Sequence, residues 1–115
     1  MAGNVIYLDQ RRKVKKKSVN LPARNKNEAA FCILLGEVCE RREKLAEAVD
    51  AYTQALASDP NNSQTYLRRG KLYTRLFCYE QALADYIRAL ELNPRNDEAR
   101  QLREAMEQKR SGGHS

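Results

Sequence analysis

Residues 63–94 read SQTYLRRGKLYTRLFCYEQALADYIRALELNP, and their pattern is the clearest indication of the architecture. Its apolar residues recur at intervals of three and four, which predicts two short amphipathic helices joined by a tight turn. The residues before it form a second copy of the same pattern. The matching pairs, each 34 residues apart, are Gly36 and Gly70, Ala48 and Ala82, Tyr52 and Tyr86, Ala55 and Ala89, and Pro60 and Pro94. The sequence therefore predicts an all-α chain built from a duplicated helix pair.

A repeat of 34 residues with two helices per unit is typical of the tetratricopeptide repeat, whose pattern is a large residue, Leu-Gly, Tyr, Ala, an aromatic residue and Pro. The second copy carries at these positions Tyr66, Arg69-Gly70, Tyr73, Ala82, Tyr86 and Pro94. The first copy carries Cys32, Leu35-Gly36, Cys39, Ala48, Tyr52 and Pro60. The chain thus resembles the tetratricopeptide repeat family over about residues 29–94.

This resemblance implies an α-solenoid of five helices, with repeats at 29–62 and 63–96 and a charged capping helix at 97–110. We expect Gly36 and Gly70 to let paired helices approach closely, with tyrosines filling the space that the small residues leave. The first helix is expected to pack loosely, because Cys32 and Cys39 replace large side chains. Two repeats are few for such a stack. Either five helices suffice, or a second copy, the N-terminal arm or a partner extends the stack.

Basic residues are concentrated at the N-terminus of the 115-residue chain, whose net charge is +6 at pH 7. Residues 1–28 hold eight Lys and Arg but only Asp9 and Glu28 as acids, whereas the remainder holds 13 of each sign. We predict a basic, disordered tail at 1–26, a folded domain at 27–110 and a disordered end at 111–115. The densest block of the tail consists of Arg11, Arg12, Lys13, Lys15, Lys16 and Lys17.

The composition argues against several classes of protein. No apolar run approaches the roughly 20 residues that span a bilayer, and the short run at 5–8 lacks the preceding basic residues of a secretory signal. A cytoplasmic location is expected, or a nuclear one in a eukaryote. Three reduced cysteines are expected, since Cys32 and Cys39 lie two helical turns apart. Neither a phosphate loop nor a nucleophile elbow nor metal-ligand spacing occurs, so we expect no enzyme, metal or cofactor.

In the resembled family, the first helices of successive repeats line a concave groove that holds a peptide or a helix. Here the corresponding positions are Ala30, Ile33, Leu34, Glu37, Glu40, Arg41, Gln64, Leu67, Arg68, Lys71, Thr74 and Arg75. Ile33, Leu34 and Leu67 would form an apolar floor. Arg68, Lys71 and Arg75 would form a basic wall suited to acidic side chains or a C-terminal carboxylate, unless they are ordinary surface charge.

Some family members grip acidic chaperone tails at positions that hold Ile33, Glu37 and Arg68 in this chain. Only Arg68 keeps the character of a hydrogen-bond donor, which disfavours recognition of heat-shock chaperone tails but not of a different acidic peptide. We therefore expect a non-enzymatic adaptor that binds an acidic or mixed peptide or helix of another protein.

Other parts of the chain suggest further contacts. The apolar turn residues Leu76 and Phe77, or the first helix, could mediate self-association, unless Phe77 folds back over the fourth helix. The alternative function is association with nucleic acid through phosphate contacts of the basic tail, which also suits an anionic membrane, a nuclear localisation signal or a solubilising segment. A third hypothesis places residues 4–8 (NVIYL) in the groove of their own or a sister chain as an inhibitor.

Overall fold

The computed structural model describes residues 26–112, which form five α-helices. These are α1 Lys26–Arg41, α2 Leu45–Ser58, α3 Ser63–Arg75, α4 Tyr79–Leu92 and α5 Asp97–Gly112. Helix α1 packs on α2 and α3 on α4, while α2 also packs on α3 and α4 on α5. Over residues 26–112 there is no strand. The predicted all-α solenoid of five helices is confirmed.

The helix boundaries follow local side-chain chemistry. The side-chain oxygen of Asn62 accepts the Thr65 N–H at 3.1 Å, which caps α3. The side-chain oxygen of Asn96 accepts the Ala99 N–H at 3.0 Å at the start of α5. Helix α5 continues to Gly112, beyond the predicted boundary at 110, and residues 97–111 contain no glycine or proline that would end it earlier. Residues 1–25 and 113–115 lie outside the described residues, and so do the basic block and the NVIYL segment.

The turns inside the two repeats share one backbone geometry. Glu43 and Phe77, which are equivalent positions, have φ angles of 60° and 64°. The next residue in each turn, Lys44 or Cys78, donates its N–H at 2.8 Å to a carbonyl of the preceding helix. This left-handed conformation is unfavourable for a side chain as large as that of Phe. The Phe77 ring lies at the tip of its turn and is 77% exposed.

The core has two clusters. Each contains residues of one repeat and of the first helix that follows that repeat. The first surrounds Tyr52 and includes Leu72 of α3, and the second surrounds Tyr86 and includes Met106 of α5. A Cβ atom added to Gly36 would lie 2.5 Å from Tyr52 Cε1, and one added to Gly70 would lie 2.7 Å from Tyr86 Cε1. The predicted close approach of the paired helices, with tyrosines against the glycines, is confirmed.

Some apolar side chains lie away from the core. Ile87 of α4 is 39% exposed, because the sides of α4 that face α3 and α5 are already filled by residues such as Leu83 and Tyr86. Cys32 and Cys39 are half-buried free thiols. Both lie on α1, against which α2 alone packs closely among the described helices.

Candidate functional site

Three basic residues of α3 lie at one side of the stack, and we call Arg68, Lys71 and Arg75 the α3 basic row. Arg68 Nη1 lies 3.3 Å from Glu37 Oε2 of α1. Lys71 pairs with Glu98 of α5. Arg75 Nη2 donates to Glu43 Oε1, in the turn after α1, at 2.6 Å. The first helices α1, α3 and α5 are thus linked side by side by ion pairs.

These ion pairs are accessible to water. The side chains of the α3 basic row are 40%, 44% and 47% exposed, in chain order. Exposed pairs of this kind contribute only about 0–1 kcal/mol to stability. The row is therefore able to exchange its present carboxylates for others at small energetic cost.

The predicted apolar floor is smaller than the sequence suggests. Leu67 is only 3% exposed and packs in the core cluster around Tyr86, so it offers no surface to a ligand. Ile33 is half-buried against the cluster around Tyr52. Leu34 is 60% exposed and is the accessible part of the floor. At the edges of the same face, Ala30, Arg41 and Gln64 are exposed.

Two further residues assigned to the groove direct their polar atoms toward the tyrosines. Tyr52 Oη donates to Glu40 Oε1 at 2.6 Å. Burial, followed by the hydrogen bond to Glu40, raises the pKa of Tyr52 above its ordinary value. Thr74 Oγ1 lies 2.9 Å from Tyr86 Oη. Glu40 and Thr74 therefore fix the tyrosine hydroxyls inside the repeats.

A buried ion pair in the second repeat was missed from the sequence. Arg69 Nε and Nη2 each donate to Asp85 at 2.8 Å, and the two side chains are 18% and 5% exposed. The Asp85 hydrogen bond raises the pKa of Arg69. Burial raises the pKa of the Asp85 carboxyl, and the hydrogen bonds from Arg69 oppose that change. The sequence does contain a sign of this pair. Arg69 is charged at a position that is apolar in the family pattern, and Asp85 is charged where the first repeat has Ala51.

The two residues predicted to mediate self-association, in the turn between α3 and α4, differ in their exposure. Leu76 is half-buried and packs against the cluster around Tyr52, so it does not belong to an exposed patch. Phe77 is exposed and makes an edge-on contact with Tyr79, with ring centroids 6.2 Å apart. The turn therefore presents a single aromatic ring.

The described residues offer no group of three or more His, Cys, Asp or Glu side chains placed to bind a metal ion. Of the helices between residues 26 and 112, none has the length and apolar character that crossing a membrane requires.

The sequence profile of the tetratricopeptide repeat matches residues 29–62 and, separately, residues 63–96. Together with the stacked helix pairs, these matches show that the chain belongs to the tetratricopeptide repeat family. The family assignment made from the 34-residue spacing is confirmed.

Two relatives match over roughly the same part of the chain. A DnaJ homolog subfamily C member 7 homolog of Dictyostelium discoideum is 36% identical over 63 residues, which are 54% of this chain and 12% of the relative. A UDP-N-acetylglucosamine–peptide N-acetylglucosaminyltransferase of Giardia intestinalis is 34% identical over 65 residues, 56% of this chain and 4% of that enzyme. The matches span only a small part of either relative.

A solved structure shares the fold over most of the chain. The first tetratricopeptide repeat domain of Spaghetti (RPAP3), bound to the HSP90 peptide SRMEEVD, superposes with a TM-score of 0.70 and 27% identity. The superposition covers 73% of this chain and 67% of that one. The family and this likeness support a role in protein–protein interaction.

Proposed function

We propose that this protein is a non-enzymatic adaptor whose α1–α3 face binds an acidic segment of a partner protein. The α3 basic row supplies the charged contacts, and the exposed Leu34 supplies an apolar one. The observation that carries the proposal is that each cation of the row already holds a carboxylate from another part of the chain. A partner's carboxylates would take the same places.

The spacing of the row defines the segment it suits. Arg68 and Arg75 are separated by seven residues, or about 10 Å along the helix. An extended peptide rises about 3.3 Å per residue, so a span of about four residues matches the row. Acidic side chains within such a span would each find a cation. The peptide SRMEEVD, bound by the similar Spaghetti domain, has three acidic residues among its last four.

The proposed contact is driven by exchange of charged partners. A guanidinium–carboxylate hydrogen bond is stronger than a neutral one, and the row's present pairs are exposed and weak. A partner segment that presents several carboxylates at once would gain from binding them in one event. The displaced Glu37, Glu43 and Glu98 side chains would return to water at little cost.

Selection from a random heptapeptide library tests this proposal. The full chain should enrich peptides with two or more acidic residues, whereas Arg68→Ala/Lys71→Ala should lose that enrichment. The matched control is Arg88→Ala/Arg95→Ala, which removes two cations outside the row and should keep it. Enrichment of peptides without acidic residues, or equal enrichment by both double variants, would contradict the proposal.

Nucleic-acid binding through the basic tail remains a separate prediction, because residues 11–17 lie outside the described part of the chain. Tail-driven binding should weaken steeply as salt rises. It should also be unchanged by Arg68→Ala/Lys71→Ala, which separates it from peptide binding.

A further inference from the structure

One face of α1 is exposed although its equivalents elsewhere in the stack are buried. Phe31 and Val38 of α1 have equivalent positions 34 residues later in α3 and 68 residues later in α5. The equivalent residues are Thr65 and Leu72 in α3, and Ala99 and Met106 in α5, all at most 2% exposed. Phe31 is 67% exposed and Val38 is only partly buried, because no helix in the described residues precedes α1. The face is therefore the stacking surface of the repeat without its covering helix.

The residues of this face form a single stripe, which we call the α1 seam. It consists of Glu28, Phe31, Leu35, Val38 and Arg42, spaced alternately by three and four residues. This spacing keeps side chains on one side of a helix and is the pattern by which two helices pack along their length. The Arg42 N–H still donates to the Val38 carbonyl at 3.1 Å, so the helical geometry reaches the last member of the stripe.

We infer that the α1 seam binds the α1 seam of a second copy of this protein, with the two helices antiparallel. The stripe is self-complementary in that orientation. Leu35 lies at its centre and would meet Leu35 of the other copy, while Phe31 would lie opposite Val38. Glu28 would lie opposite Arg42, and this pair would occur twice because the interface is two-fold symmetric.

Charge favours a second copy over the chain's own N-terminal segment as the occupant. Residues 1–25 contain seven Lys and Arg and a single acid, Asp9. A segment of that charge would place like charges beside Arg41 and Arg42 at the end of α1. A second copy instead brings a Glu28 carboxylate opposite each Arg42. The seam lies outside the α3 basic row, so the dimer would carry two rows for partner segments.

Charge reversal at the ends of the seam gives a sharp test in the full-length protein. Sedimentation equilibrium should show a monomer–dimer equilibrium between about 1 and 200 µM, since one helix pair buries a small interface. Glu28→Arg alone and Arg42→Glu alone should each weaken dimerisation by about tenfold or more. An equimolar mixture of the two single variants should form a heterodimer, because both end pairs are then opposite in charge. The double variant E28R/R42E should dimerise like the unmodified chain.

Two controls separate the seam from folding and from other surfaces. Circular dichroism should be unchanged in all these variants, since the substituted side chains are exposed. Phe77→Ala removes a more exposed aromatic residue away from α1 and should leave dimerisation intact. A chain that stays monomeric throughout the range would overturn the inference. So would dimers that resist the single reversals, or single variants that fail to combine.

Discussion

The two repeats share their framework but differ in how they fill one contact between their helices. In the second repeat this contact joins Arg69 and Asp85, and the equivalent residues of the first repeat are Leu35 and Ala51. Ala51 is 4% exposed and Leu35 is 44% exposed at the open end of the stack. In the interior, the guanidinium and carboxylate bond through two hydrogen bonds. An interior contact of this fold therefore accepts an ion pair when its hydrogen bonds are satisfied.

Breaking that ion pair should produce the largest change in stability. Arg69→Leu leaves the Asp85 carboxylate buried without its partner, and removing one member of a buried pair typically costs about 3–5 kcal/mol. Replacing both residues, as Arg69→Leu/Asp85→Ala, gives the second repeat the composition of the first. The double variant should recover most of the loss. Urea unfolding followed by circular dichroism measures both free energies of unfolding.

The reverse single substitution provides the control. Asp85→Ala leaves Arg69, which still reaches Thr53 and stacks near the rings of Tyr66 and Tyr73. It should therefore cost less than Arg69→Leu. A double variant as unstable as Arg69→Leu would show that the unpaired charge is not the cause of the loss.

The sequence predicts this fold well because the deciding residues are local and repeated. Gly36 with Tyr52, and Gly70 with Tyr86, recur at a fixed spacing, so the amino-acid sequence alone is enough to infer their contact. The Arg69–Asp85 pair could not be inferred with the same ease, since its members lie on different helices and occur in one repeat only. Which carboxylate each base of the α3 basic row holds also depends on how neighbouring repeats are stacked.

The accessible surface of the candidate site was harder to predict than the fold. Leu67 and Leu34 are both apolar residues on first helices, yet one is buried and the other exposed. The two residues occupy different places in the repeat: Leu34 corresponds to Arg68, whose side chain is 40% exposed, whereas Leu67 corresponds to Ile33 and packs in the cluster that contains Met106 of α5. The side of the helix on which an apolar residue lies therefore decides whether a partner could reach it.

The two glycines offer a second comparison between the open end and the interior. Alanine at Gly70 would place its Cβ 2.7 Å from the buried Tyr86 ring and 3.2 Å from Asp85 Cβ. Since α3 is held by helices on both sides, relief requires repacking, and we expect a loss of about 1–3 kcal/mol. Gly36→Ala makes a closer contact, 2.5 Å from Tyr52. It should nevertheless cost less, because α1 can shift toward its open side.

Urea unfolding at low protein concentration measures this difference, and the low concentration keeps the α1 seam uncovered. Both substitutions gain about 0.8–1.0 kcal/mol of helix propensity, so that contribution cancels between them. A larger loss for Gly36→Ala would mean that the local distance outweighs the freedom of the end helix.

The tyrosine hydroxyls provide the third comparison, for which we expect the smallest change in the free energy of unfolding at neutral pH. Burial is the first cause that raises the pKa of both Tyr52 and Tyr86 above the ordinary value of 10.0. The Glu40 hydrogen bond raises the pKa of Tyr52 further and outweighs the opposing hydrogen bond of Arg68, whereas the Thr74 hydrogen bond lowers the pKa of Tyr86. Each tyrosine therefore has a higher pKa in the folded protein than in the unfolded chain. The resulting stabilisation is fully present below the pKa of the unfolded chain, and it is lost as the pH rises toward the pKa of the folded protein.

The free energy of unfolding should therefore fall above about pH 10, with a slope of up to about 1.4 kcal/mol per pH unit for each tyrosine. Tyr52→Phe should flatten this fall more than Tyr86→Phe, because the carboxylate beside Tyr52 opposes its ionisation more strongly. Glu40→Gln should reduce the contribution of Tyr52 without removing the ring that packs against Gly36. Urea unfolding at several pH values between 8 and 11 gives the profiles. Superimposable profiles for all four proteins would show that alkaline instability arises from other groups, and that the two repeats hold their tyrosine protons equally.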